Sequence, residues 1–469
     1  MKMHVGGKWI DKDEKIDVLN PFDGSVIDTV PKGDAADVDN AITAAARGAK
    51  IMSAMPAYER YQILHKASEI MTERLEDLGR TITLEEGKVI TEGRGEAARA
   101  TETIVLSAEE AKRLTGEVLQ LDGASNGAGK FGFTIRIPVG IVAAITPFNF
   151  PLNLVCHKVG PALAAGNAVV IKPATDTPLS AIKLTEIMLE AGVPPEAIQC
   201  VTGSGAVIGD AISRDSRVRK ISFTGSRDVG EHICSQAGIK KVTMELGSNA
   251  PVIVMDDADL DKVTDAMAMT GFANAGQVCI SSQRVLVDDN VYGDVIDSLK
   301  PKVESLATGD PGIDSMKMGP MIRESDAVRV NEWIQEAIND GATLVTGGER
   351  TGTLHQPTIV ADVKPDMRIS RDELFGPAVA LTRVDDIDTA IAMANDSNYG
   401  LSASIFTENV DRALKFAKEV HSGNLHINYG TVWRADMMPY GGVKDSGMGK
   451  EGPKYAVEEM TETKMVVFH

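Results

Sequence analysis

A chain of 469 residues has room for two or three domains and for a large apolar core that needs no disulfide or metal to hold it. Hydrophobic residues make up 43% and charged residues 25%, values of an ordinary globular enzyme that exclude a disordered, collagen-like or low-complexity chain. With 48 Lys and Arg against 67 Asp and Glu, the net charge of −19 repels a phosphate backbone and argues against nucleic acid as a general partner.

The opening MKMHVGGKWIDKDEK lacks the apolar core of a signal peptide, and apolar runs such as VGIVAAI are far too short to span a bilayer. A cytoplasmic protein with no membrane attachment is expected. Residues 36–115 read mostly as helix, with one amphipathic run from Ala57 to Arg80 after Pro56 and a second from Glu92 to Leu114. GASNGAGK is a loop, and FGFTIRI, bounded by Gly129 and Pro138, alternates as a strand. From Val139 the text alternates between buried strands and helices. VGIVAAI, AVVIK, IQCVTG, RKISFTG and KVTMEL are strands, and PLNLVCHKVGPALAAG and PLSAIKLTEIMLEAG are helices. Repeated β-α-β of this kind predicts a parallel sheet covered by helices, with right-handed crossovers. A second α/β run starts at PVIVM, with a helix near Leu260–Ala275, the strand QRVLVD and a helix near Val291–Ala307, and reaches about Gly447. TETKMVVF reads as a final strand. It and FGFTIRI need partners outside their own sheets.

The four cysteines, Cys156, Cys200, Cys234 and Cys279, form no CxxC pair, and the eight histidines form no HExxH or HxH. Reduced thiols and no metal site are expected. Cys156 and His157 are neighbours on a helix and do not face each other.

Four segments carry chemistry. In ISFTGSRDVG a buried strand passes into a helix at Gly225 and Gly230, where backbone N–H groups attract phosphate. MELGSNAP puts Glu245 at the carboxyl end of a parallel strand, where such sheets bind ligands. FANAGQVCISSQR surrounds Cys279 with small residues that let a substrate approach. TPFNFPLN holds Asn149 on a loop stiffened by two prolines, suited to an oxyanion hole. Each segment taken singly is weak, because a tight turn, a helix cap or a buried inert thiol would look the same.

In this order and spacing, together with IKPATDTP, ELFGP, NYGLSASIF and PYGGVKDSGMGKEG, these segments resemble the NAD(P)-dependent aldehyde dehydrogenases over nearly the whole chain. The similarity is to the non-acylating branch with lactaldehyde, phosphonoacetaldehyde and non-phosphorylating glyceraldehyde-3-phosphate dehydrogenases. The resemblance implies an α/β fold in three parts. Residues 1–116 and 138–246 would form a Rossmann-like cofactor domain, 247–447 a catalytic domain, and 117–137 with 448–469 a small β oligomerisation arm. It implies Cys279 as nucleophile, Asn149 with the Cys279 N–H as oxyanion donors, and Glu245 as the base that activates water. For the cofactor, NAD or NADP, it implies Thr146, Pro147, Phe148, Lys172, Thr175, Gly205, Gly225, Ser226, Val229, Leu246, Glu373 and Phe375. Thr175 stands where NAD-preferring members often carry Glu, and it would not repel an NADP 2′-phosphate. At the three places that line family substrate tunnels the chain has Arg99, His157 and Arg434, with Asp436 close enough in sequence to neutralise Arg434. A short aldehyde with a phosphonate, phosphate, sulfonate or carboxylate tail is expected, oxidised to the free acid, with a neutral hydroxyaldehyde of the lactaldehyde type as the alternative. A homodimer or homotetramer is expected.

Overall fold

The short apolar strands that follow residue 140 assemble around a topological switch. The computed structural model describes residues 1–469. Strands Ile141–Ile145, Ala168–Lys172, Ile198–Cys200, Lys220–Thr224 and Lys241–Glu245 are parallel, and in spatial order they run third, second, first, fourth, fifth. The order reverses between Ile141–Ile145 and Lys220–Thr224. The crevice outside the carboxyl ends at such a point is where open α/β sheets bind dinucleotides. Helices Ala35–Ala54, Asn153–Ala164 and Leu179–Ala191 pack on these strands. Antiparallel strands close both edges, with the hairpin Met3–Val5 and Lys8–Ile10 at one and Gly447–Met448 at the other.

A second, seven-stranded sheet takes in Thr343–Thr346, Thr358–Ala361, Ala378–Val384, Arg284–Asp288, Pro251–Val254, Ser402–Phe406 and Asn424–Ile427, parallel except at its first edge. Each large sheet has its own apolar core. A third sheet is antiparallel. Thr461–Phe468 pairs along the whole of Phe131–Pro138, which also pairs with Val118–Leu119. The two strands without partners in their own runs therefore find each other. The helix Pro453–Glu459, just before the last strand, packs back on helices Ile90–Ala111 and Asn153–Ala164.

Three expectations about elements are corrected. The run Ala57–Arg80 is not one helix: it breaks at Arg74 (φ −102, ψ 16) into Ala57–Glu73 and Leu75–Glu86. The helix expected to reach Ala275 ends at Thr270, because Asn274 and Ala275 adopt left-handed backbone at φ 50 and 53. The first 35 residues, in which no element was expected, hold two hairpins, Met3–Ile10 and Lys15–Pro31. Strands of three residues are too short to show an alternation, and the first of these hairpins is held by a tertiary pairing of His4 with Cys200.

Candidate active site

Cys279 lies just beyond the left-handed turn Asn274–Ala275–Gly276. Gly276 has φ 70, and a Cβ on it would sit 2.0 Å from the Gly376 carbonyl, so only glycine lets these two chain segments touch. The carboxyl end of Ile141–Ile145 delivers Thr146, Pro147, Phe148 and Asn149 into the crevice. Asn149 is buried and fixed from both ends. Its Nδ2 donates to the Gln277 carbonyl at 2.8 Å, while its own carbonyl accepts from Lys88 Nζ at 2.7 Å and from Asn274 Nδ2 at 3.3 Å. Lys88 in turn pairs with buried Glu96 at 2.6 Å and stands 3.8 Å from the Phe150 ring centroid. One hydrogen on Asn149 Nδ2 stays uncommitted.

Glu245 ends its strand as expected and is enclosed, and neither carboxylate oxygen has a hydrogen-bond partner. A Cβ on Gly441 would lie 2.7 Å from Glu245 Oε1, so the loop carrying Tyr440 closes directly over the carboxylate. Burial, reinforced by the nearby Glu451 charge, pushes Glu245 well above the usual carboxylate range, against Arg434, Lys158 and Lys450. Cys279 is partly exposed, but protein walls surround its sulfur. Burial pushes the thiol up to about 12, opposed by a hydrogen bond with Tyr440 and by Arg434. Its Sγ lies 3.3 Å from Tyr440 Oη.

Arg99, His157 and Arg434 come together beside this centre, although 58 or more residues of chain separate any two of them. Their pairing differs from expectation. Asp436 does not neutralise Arg434. It takes a two-point contact from Arg99 at 2.8 and 3.0 Å and a hydrogen bond from His157 Nε2 at 2.8 Å. Burial opposes ionisation of Asp436, yet the His157 and Arg99 hydrogen bonds hold it well below the usual range. Arg434 instead pairs with Glu451 at 3.2 Å, approaches His157 at 3.2 Å and lies 3.8 Å from the Tyr440 ring centroid. Its side chain is 6% exposed and its Nε has no partner. Burial and then the Arg434 charge push His157 down to about 4, so the imidazole is neutral at pH 7. Lys158, one residue on, reaches Glu451 at 2.6 Å and Thr224 at 2.8 Å.

Most of the residues expected at the dinucleotide follow the carboxyl ends of the first sheet's strands. Ser226 precedes helix Arg227–Ala237, and Gly230 inside that helix lets Leu246 approach to within 2.5 Å of where a Cβ would be. Lys172 is 5% exposed, and its ammonium donates only to the Pro173 carbonyl, at 2.8 Å. Burial pushes it down to about 8. A buried ammonium with no contacting carboxylate fits a ligand rich in hydroxyl or phosphate oxygens. Thr146 Oγ1 is likewise buried without a partner. Thr175 donates to the Gly203 carbonyl at 3.2 Å, and Gly205 starts the exposed turn that follows. Glu373 accepts the Ser248 N–H at 2.8 Å and packs so close to Gly247 that a Cβ there would be 2.3 Å from Oε2. Burial pushes Glu373 up to about 7. Phe375, at φ 49, meets Phe148 edge-on with centroids 5.9 Å apart. Val229 stands exposed on its helix. These residues fit a dinucleotide.

Sequence reasoning did not single out Lys88, Glu96, Lys158, Tyr440 or Glu451. Tyr440 lies inside the quoted PYGG, and its neighbouring glycines were the available signal. The others sit in helices or a loop with no local pattern that marks them.

The chain is similar to known proteins over its whole length. A profile of the aldehyde dehydrogenase family matches residues 9–466. The 3-sulfolactaldehyde dehydrogenase of Priestia megaterium is 46% identical over 467 residues, covering 100% of this chain and 98% of that one. Aldehyde dehydrogenase 21 from Physcomitrella patens, solved with the reaction product succinate, is 39% identical at a TM-score of 0.97, covering 100% of this chain and 98% of that one. The NADP-dependent glyceraldehyde-3-phosphate dehydrogenase of Bacillus halodurans, solved with NADP, is 38% identical at a TM-score of 0.97, again covering 100% and 98%. The chain belongs to the aldehyde dehydrogenase family. Its members oxidise aldehydes with NAD(P).

Proposed function

We propose that this chain oxidises a short aldehyde bearing an anionic tail to the free carboxylic acid, with NAD or NADP as hydride acceptor. The observation that carries the choice of substrate is the charge cluster around Arg434, which lies on the ring of Tyr440, the residue that touches Cys279. Arg99, Arg434 and Lys158 face two ionised carboxylates, Asp436 and Glu451, which leaves one positive charge in excess, and Arg434 Nε is unpartnered. A buried excess cation favours an anionic ligand, and an arginine edge suits a phosphonate, sulfonate or carboxylate. The named substrate of the Priestia relative carries a sulfonate, which supports the same class.

In this reading Cys279 adds as thiolate to the aldehyde carbon. The free Asn149 amide hydrogen and the Cys279 N–H hold the oxyanion, and losing Asn149 costs roughly 10²–10³ in rate. Lys172 and Glu373 would hold the dinucleotide, and the start of helix Arg227–Ala237 would favour its phosphates. The chemistry NAD(P) supplies when bound is acceptance of hydride. Cys279 then carries the acyl group as a thioester. Glu245 takes a proton from water, the hydroxide attacks the thioester, and the acid and the thiol are released. The base favours hydrolysis over transfer to another acceptor. Thr175 brings no negative charge toward a 2′-phosphate, so both NAD and NADP serve.

The test is a kinetic screen at 340 nm of short aldehydes with both cofactors, in wild type and Arg434→Ala. The anionic aldehyde should show a higher kcat/KM than a neutral analogue of equal length. Arg434→Ala should raise its KM about 10–150-fold, the worth of one charged hydrogen bond, and affect the neutral aldehyde much less. The neutral hydroxyaldehyde reading rests on the commitment of both arginines to carboxylates. Equal losses for the two substrates would put it ahead.

A further inference from the structure

Cys279 Sγ has one hydrogen-bond partner, the Tyr440 hydroxyl at 3.3 Å, and that hydroxyl has no other partner. The Glu245 carboxylate makes no hydrogen bond, so the group in contact with the sulfur is a phenol and not a carboxylate. We infer that Tyr440 is a catalytic residue that donates its O–H to the Cys279 sulfur and stabilises the thiolate that attacks the aldehyde. The inference rests on Cys279 being the nucleophile.

Several features fit Tyr440 to this part. It is 4% exposed, and its backbone is held by a two-way pairing with Glu451, with hydrogen bonds of 3.1 and 2.7 Å. The glycines that follow let the loop fold over Glu245, which fixes where the phenol points. The Arg434 guanidinium lies 3.8 Å from the ring centroid. A cation on the ring face draws electron density from the phenol and makes its O–H a better donor. Burial, then the Cys279 charge, pushes the phenol itself well above its ordinary range, so it keeps its proton and serves as donor. The balance is simple: Cys–SH loses a proton to solvent, the sulfur becomes an anion, and the Tyr440 proton stays on oxygen, shared with sulfur. The ionisable groups acting on the sulfur are Glu373 and Glu245, which oppose the thiolate when they are ionised, and Arg434, which favours it. The dipole of Tyr440 adds to Arg434, in direct contact.

The measurement is the pH dependence of Cys279 alkylation by iodoacetamide, read by peptide mass spectrometry so that Cys156, Cys200 and Cys234 do not contribute. Tyr440→Phe keeps the ring and removes only the oxygen. Its alkylation profile should move up by about one pH unit, with about tenfold slower alkylation at pH 7.5, on the scale of one hydrogen bond to a charge. Placing 3,5-difluorotyrosine at position 440, a more acidic phenol with the same contacts, should move the profile down. An unshifted profile in Tyr440→Phe would overturn the role, whether or not turnover falls. If Tyr440→Phe fails to fold, the fluorinated protein alone decides, and an unshifted profile there overturns it equally. Cys279→Ser separates the two levels: retained turnover in that variant sinks the nucleophile, whereas an unshifted profile with Cys279→Ser inactive sinks only Tyr440.

Discussion

Glu245 and Glu451 are both enclosed by protein, yet they are held in opposite states. Glu451 has Lys158 at 2.6 Å and Arg434 at 3.2 Å, and these cations overcome burial and keep it ionised below the usual range. Glu245 has no hydrogen-bond partner and feels the Glu451 charge, so it holds its proton above the usual range. A carboxylate destabilised in this way is a stronger base toward water once ionised. Thioester hydrolysis in wild type should therefore rise with pH through the elevated Glu245 range. Glu245→Gln should abolish that limb and accumulate an acyl-enzyme, seen as added mass on the intact chain. Full steady-state turnover in this variant would remove Glu245 from its role. Glu451→Gln leaves two cations without their carboxylate in a dry site and should destabilise the fold by about 3–5 kcal/mol at pH 7. The pH dependence has a definite sign. Glu451 is depressed in the folded state, so its stabilisation is present above the unfolded value near pH 4.3 and is lost as pH falls through the folded one. Melting curves of wild type and Glu451→Gln should lie far apart at pH 7, draw together below about pH 4 and meet at about pH 2. A constant gap would contradict the ionised state.

At the scale of elements, the feature that places Cys279 is a break. The helix Leu260–Thr270 stops, the chain turns left-handed through Asn274, Ala275 and Gly276, and Cys279 emerges toward the crevice. The apolar spacing of the segment continues as if it were helical, so periodicity alone extends the helix to Ala275. The turn survives because tertiary partners hold it. Asn274 Nδ2 donates to Glu86 at 2.8 Å and to the Asn149 carbonyl, and its N–H donates to Glu92 at 3.2 Å. Gly276→Ala would thrust a methyl at the Gly376 carbonyl on a backbone at φ 70. Overpacking alone costs about 1–3 kcal/mol, and the left-handed backbone adds to it. A lower melting temperature and slower Cys279 alkylation should appear together, because one displacement causes both. An unchanged alkylation rate in a destabilised Gly276→Ala would separate the turn from the placement of the thiol.

At the scale of the whole molecule, the three-stranded sheet keeps two open edges. Its outer strands, Val118–Leu119 and Thr461–Phe468, are edges, and Phe131, Phe133 and Phe468 cluster on it with Phe131 and Phe468 more than half exposed. Open edges and exposed aromatics invite pairing with another chain. A homodimer or a tetramer built from two-fold dimers is expected by light scattering at micromolar concentration. Removing residues 461–469 should lower the oligomer size. A wild-type monomer would leave the arm without this purpose.

What the sequence alone determined is what neighbouring residues encode. Buried strands followed by helices announced the parallel sheet, and small residues around Cys279, the proline-stiffened loop of Asn149 and the strand-end position of Glu245 marked their segments. Tertiary structure alone decided which charges meet. Arg99 finds Asp436 across 337 residues, His157 finds the same carboxylate across 279, and Cys279 finds the Tyr440 hydroxyl across 161. Strand and helix periods repeat over two to four residues and are written locally. A hydrogen bond between groups this far apart depends on how two sheets and a loop pack, and no local pattern carries that. Hence Asp436, two residues from Arg434 in sequence, pairs with Arg99, while Arg434 turns to Glu451 and to the ring that touches the thiol.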